Sequence, residues 1–75
     1  MIDINELIPS IKTGWVVMDK NCRWWWFKFK PTLSETSGVW FSEYQYDGFL
    51  VRLSDYLNIK PVESWANSLI EVKND

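Results

Sequence analysis

The sequence predicts a mainly β domain, a small antiparallel meander of four to five strands behind a short N-terminal helical segment. Three observations point there. Two aromatic and β-branched runs, residues 14–19 and 23–30, flank a short Lys20-Asn21-Cys22 connection. Asp47-Gly48 separates two further such runs, 39–46 and 49–53. Gly14, Gly38 and Gly48 each stand alone at a strand boundary, and Pro31 ends the second strand.

In chain order, Asp3 with Glu6 three residues on is a helix-start signal. Ile4, Leu7, Ile8 and Ile11 follow at helical spacing as one apolar stripe. Pro9 lacks an N–H and crowds the preceding turn, so the helix is expected to end near it. Gly14 then opens the first strand. Alternation along a strand puts Trp25, Phe27 and Phe29 on one face of the second strand and Trp24, Trp26, Lys28 and Lys30 on the other. An even-numbered loop would place Val16 and Met18 beside Trp25 and Phe27, and Trp15 and Val17 beside Trp24 and Trp26.

Both faces of this hairpin are apolar, which an antiparallel strand with one solvated face would not need. Two arrangements satisfy the pattern. The N-terminal stripe or the C-terminal segment folds over Trp24 and Trp26, or these rings stay open. Two open indoles would expose roughly 300–500 Å² of apolar surface, the size of a binding patch.

Beyond Pro31, residues 32–38 read as a polar connection. A two-residue Asp47-Gly48 loop would pair Tyr46 with Phe49, Tyr44 with Val51, and Glu43 with Arg52. Helical spacing of Phe49, Leu50, Leu53 and Leu57 is the rival, and the turn chemistry favours the hairpin. Ser54 reads as the cap of a single helical turn. Residues 61–72 fit either a helix starting at Pro61 or a turn at Asn67-Ser68 followed by a strand.

Seventy-five residues allow one domain, 1–75, with one modest core. Aromatic residues make up 17% of the chain, so a short chain can bury much apolar area. The formal charge of −2 implies no general affinity for nucleic acid. No run is long enough for a membrane span, no signal-peptide pattern opens the chain, and one cysteine excludes an internal disulfide. A cytoplasmic location is expected.

The chain has no histidine, so it lacks the commonest general base and metal ligand. Cys22 alone cannot build a zinc site, the carboxylates are scattered, and no glycine-rich phosphate loop is present. These absences predict a protein that is not an enzyme and needs no cofactor.

Residues 8–19, reading IPSIKTGWVVMD, together with Lys30-Pro31, Trp40 and the tail WANSLIEV at 65–72, resemble small proteins encoded by bacteriophages and prophages. Those proteins open with IPxLKxGWVAMD and end with WxxSLIxV. The resemblance implies a β-rich fold and mobile-element origin, supplies no catalytic residues, and tilts the tail toward a strand. Cys22 stands where that pattern has Gly, which implies a differently shaped turn.

The function expected is a non-catalytic protein-binding module, a phage-type inhibitor or modulator of a host protein. Its candidate face is Trp15, Trp24 and Trp26 with Lys28 and Lys30. A homodimer through the same face is the second reading. Single-stranded nucleic acid binding, with indoles stacking on bases, is the third, weakened because acidic residues outnumber basic ones. The meander could curl toward an SH3-like barrel.

Overall fold

The computed structural model describes residues 1–74. They form six short strands in two sheets, with one four-residue helix at the N-terminus. The strands are β1 (Gly14–Met18), β2 (Trp24–Phe27), β3 (Thr32–Ser34), β4 (Val39–Phe41), β5 (Leu50–Arg52) and β6 (Ile70–Val72). The main sheet is antiparallel in the order β5-β2-β1-β6, and β3 pairs with β4 separately. The main sheet stays open, with β5 and β6 as its edges.

Helix α1 (Ile4–Leu7) starts where Asp3 accepts a hydrogen bond from the Asn5 N–H, and a 3-10 turn at Ile8–Ser10 carries Pro9. Its stripe does cover the hairpin. Leu7, Ile8 and Ile11 pack on a core of Ile4, Val16, Met18, Trp24, Trp26, Ile59 and Val72. On the opposite face Val17, Phe27 and Trp40 form a second core with Trp15, Trp25, Leu33, Leu50, Trp65 and Leu69. The sheet is thus the middle of three layers, and both its apolar faces are covered.

The register of the first hairpin differs by one residue from the even-loop expectation. Val16 opposes Trp26, Val17 opposes Trp25, and Met18 opposes Trp24. The cause is the turn. The Cys22 N–H reaches the Asp19 carbonyl and the Asp19 N–H reaches the Arg23 carbonyl, so the loop is the three residues 20–22. Cys22 has φ 67°, the left-handed residue that follows a turn in three-residue hairpins. An odd loop reverses the parity, so Val16 and Met18 share a face with Trp24 and Trp26.

The second expected hairpin is also rebuilt. Residues 32–38, read as a plain connection, contribute β3, and β4 stops at Phe41. The Tyr46–Phe49 turn does form, with Phe49 N–H on the Tyr46 carbonyl and Gly48 at φ 85°. Asp47 is not at positive φ, so the turn lacks the type I′ geometry that would pair the flanking runs. Strand β5 instead joins β2, placing Arg52 opposite Trp25 and not Glu43. The Arg52 guanidinium pairs with Asp55 at 2.6 Å.

Two serines finish the ladder at one rung. The hydroxyl of Ser68 accepts the Met18 N–H at 2.8 Å, and that of Ser54 accepts the Trp24 N–H at 2.8 Å. Met18 and Trp24 are themselves paired, so both outer flanks of this rung are closed by hydroxyls where β6 and β5 have ended. Ser54 therefore serves the sheet, and the helical turn beside it, Leu53–Asp55, has no side-chain cap. The tail adopts the turn-plus-strand arrangement, with a 3-10 turn at Trp65–Asn67 before β6.

Gly14 is required by close approach, since a Cβ there would lie 2.5 Å from the Trp26 indole nitrogen and 2.6 Å from the Phe27 carbonyl oxygen. Cys22 is the opposite case, an exposed side chain held at a φ that glycine adopts freely. Cys22→Gly should stabilise the domain by roughly 1 kcal/mol. Urea midpoints of the two proteins compared at equal m-value would show it, and a lower midpoint for the glycine variant would contradict this account of the turn.

Candidate functional site

The sequence-derived face does not assemble on the surface. Trp24 is 0% exposed and Trp26 3%, because the N-terminal stripe and the segment around Ile59 lie over them. Their indole N–H groups donate to the Lys60 carbonyl at 3.3 Å and the Lys12 carbonyl at 3.1 Å, both in the covering segments. Trp15 lies half-buried on the other face, with the Lys30 ammonium 5.5 Å from its ring centre. Strand β2 ends at Phe27, so alternation no longer places Lys28 and Lys30 beside Trp24 and Trp26. Of the five residues, Lys28 alone joins the exposed aromatic surface described next.

That surface is a chain of four rings. Tyr44 and Phe29 lie 4.7 Å apart between centroids, Phe29 and Phe49 5.5 Å, and Phe49 and Tyr46 5.7 Å. Tyr46 is 67% exposed, Tyr44 47% and Phe29 40%. The tilted and edge-on arrangements suit the ring quadrupole and leave ridges with slots between them. The Lys28 ammonium sits 4.7 Å from the Phe49 ring centre, within cation–π range. The backbone beneath is tied down. The Lys28 N–H donates to the Phe49 carbonyl, the Ser42 hydroxyl accepts the Tyr44 N–H, and the Gln45 amide donates to the Ser42 carbonyl.

The sequence reading placed Tyr44, Tyr46 and Phe49 on one aromatic and aliphatic hairpin face with Val51, a pairing that β5 gives up for β2. The signal that could have exposed the error is the tyrosine chemistry itself. A phenol has a polar tip that tolerates water, which a fully buried face would not need.

Beside the ring chain, and sharing its 42–46 loop, is a pocket of about 250 Å³ lined by Trp25, Phe27, Trp40, Phe41, Gln45 and Asp19 among others. Asp19 comes from the end of β1 and is 6% exposed. Its Oδ1 accepts the Trp40 N–H at 2.8 Å, and the Trp25 side chain beside it also favours the charged form. Burial pushes its pKa above the ordinary carboxylate value, and the polar contacts with Trp40 and Trp25 only partly offset that. The ion pairs of the described residues, Arg52–Asp55 and Glu71–Lys73, leave Asp19 without a cation. A larger hollow rimmed by Cys22, Arg23, Asp55 and Tyr56 is more open and has no buried ionisable group on its wall. No helix of the described residues is long and apolar enough to cross a membrane.

Two outcomes follow from this placement. Trp24→Ser should remove about 3–5 kcal/mol, comparable to the whole stability of a domain this small, and so unfold it. Tyr46→Ser should change stability by less than about 0.5 kcal/mol. Circular dichroism melts of the two variants test both, and a folded Trp24→Ser would contradict the core described here. Asp19 predicts a pH dependence. Its folded-state pKa is raised, so the folded protein holds this proton longer than the unfolded chain. The stability it contributes is full below the unfolded value of about 3.9 and is lost as pH rises through the folded value. Asp19→Asn removes that titration, so the denaturation midpoint of the wild type should fall relative to the variant across this window. Parallel curves would contradict it. Comparison with known proteins gives no match, whether to protein-family models, to curated proteins or to solved structures.

Proposed function

We propose that the protein is a non-catalytic protein-binding module of phage or prophage type, acting on a host protein in the bacterial cytoplasm. The contact surface is the ring chain Phe29, Tyr44, Tyr46 and Phe49 with Lys28 at its edge. The observation that carries this reading is the contiguous ring chain, with Phe29, Tyr44 and Tyr46 exposed and Phe49 half-buried between them, on a domain that buries Trp24 and Trp26 almost completely. Aromatic rings combine large contact area with few rotatable bonds, which is why interfaces concentrate binding energy in them. The hydrogen-bonded loop beneath supports the reading further, since a surface already ordered loses little entropy on docking.

The test is a pull-down from host lysate with three proteins, the wild type, Tyr44→Ser with Tyr46→Ser, and Tyr56→Ser. Tyr56 is 78% exposed and outside the ring chain. Capture of one host protein by the wild type and by Tyr56→Ser, lost in the double variant while its melt is unchanged, is the expected result. Capture that survives the double substitution would overturn the assignment of the surface. A stable dimer in light scattering, dissociated by the same double substitution, would assign the rings to self-contact.

A further inference from the structure

The pocket beside the rings has a composition that selects one class of ligand. Two indoles and two phenyl rings, from Trp25, Trp40, Phe27 and Phe41, make an apolar wall around a carboxylate that is nearly out of water. Asp19 is bonded by the Trp40 N–H and faces no cation of the described residues within ion-pair distance, so its charge is left uncompensated. An anion entering the pocket would meet this charge in a poorly solvated setting. A neutral apolar group would cut it off from the remaining water without supplying a counter-charge, a costly arrangement for an ionised carboxylate. A cation meets both demands, because its charge complements Asp19 and aromatic rings line its surroundings.

Which cation fits is decided by hydration. A primary ammonium is strongly hydrated and gives up much to enter an aromatic pocket, whereas alkylation spreads the charge under apolar surface. The Arg52 guanidinium already lies 5.9 Å from the Trp25 ring centre, so a cation is stably accommodated against this ring. Its ion pair with Asp55 holds it away from the pocket wall.

We propose that the pocket formed by Trp25, Phe27, Trp40 and Phe41 over Asp19 is a binding site for an alkylated ammonium group, seated among the rings with its charge toward the Asp19 carboxylate. The assignment does not depend on the docking role of Tyr44 and Tyr46. Volume agrees, since about 250 Å³ takes a trimethylammonium head with part of its chain but not a drug-sized molecule.

The test is an NMR titration of the folded protein with tetramethylammonium chloride, reading the indole N–H signals of Trp25 and Trp40. Sodium chloride controls for ionic strength, and neopentyl alcohol supplies a neutral group of similar shape. The expected result is saturable shifts of these two signals with tetramethylammonium alone, weakened about tenfold or more in Asp19→Asn. Phe41 is 42% exposed, so Phe41→Leu keeps the fold and should weaken binding severalfold. That variant carries the test if Asp19→Asn does not fold. Shifts that never saturate, equal shifts with neopentyl alcohol, or binding indifferent to Phe41→Leu would overturn the proposal. Tyr44→Ser with Tyr46→Ser should leave the titration unchanged, which keeps this result separate from that of the pull-down. Choline compared with the amide of N-acetyl-trimethyllysine then separates the sources. Tighter binding of the second assigns the ammonium to a protein side chain, and tighter binding of choline assigns it to a free small molecule.

Discussion

Three buried indoles tie the layers of the domain together, each through its single N–H. Trp24 donates to Lys60, Trp26 to Lys12 and Trp40 to Trp65, all at backbone carbonyls of segments outside the strands. An indole brings a large apolar area and one polar atom that must find a partner when buried. Here that partner is always the segment lying on top of the ring. One side chain therefore both fills the core and fixes its cover, which lets so short a chain build three layers around a four-stranded sheet.

The arrangement depends on parity. Had the first loop held two residues, Val16 and Met18 would share a face with Trp25 and Phe27, and the indoles that bind Lys60 and Lys12 would lose those carbonyls. The left-handed Cys22 at φ 67° closes a three-residue loop and so selects the face on which Trp24 and Trp26 lie. The Met18–Trp24 rung, closed on both flanks by Ser68 and Ser54, then holds that register where the edge strands run out. A small conformational strain in one turn is set against the burial of two tryptophans.

The surface follows from the same geometry. Once Trp24 and Trp26 face inward under the N-terminal stripe, most of the exposed rings are those beyond the end of β2 and in the 41–49 segment, with Tyr56 apart from them. They gather at one end of the molecule, next to a pocket whose carboxylate ties the hairpin to β4 through the Trp40 N–H. The ring chain offers contact area, and the pocket offers a buried charge. Their adjacency across Phe41 and Gln45 sets contact area and a buried charge side by side.

Much of this was legible in the residues. The two strands around residue 21, the capped start at Asp3, the apolar stripe able to cover a hairpin face and the odd standing of Cys22 in its turn are local features, and local sterics and periodicity determine them. The rest turned on competition between distant segments. Ser54 has the composition of a helix cap but is taken by the Trp24 N–H thirty residues away. Strand β5 has the turn chemistry of a local hairpin but is taken by the open edge of β2. By itself, then, the sequence determined that the chain is a small β domain with more aromatic surface than one face could hide. Only the tertiary structure decided which rings are hidden, because a one-residue change of register, invisible to composition, exchanges every side chain between the two faces of the sheet.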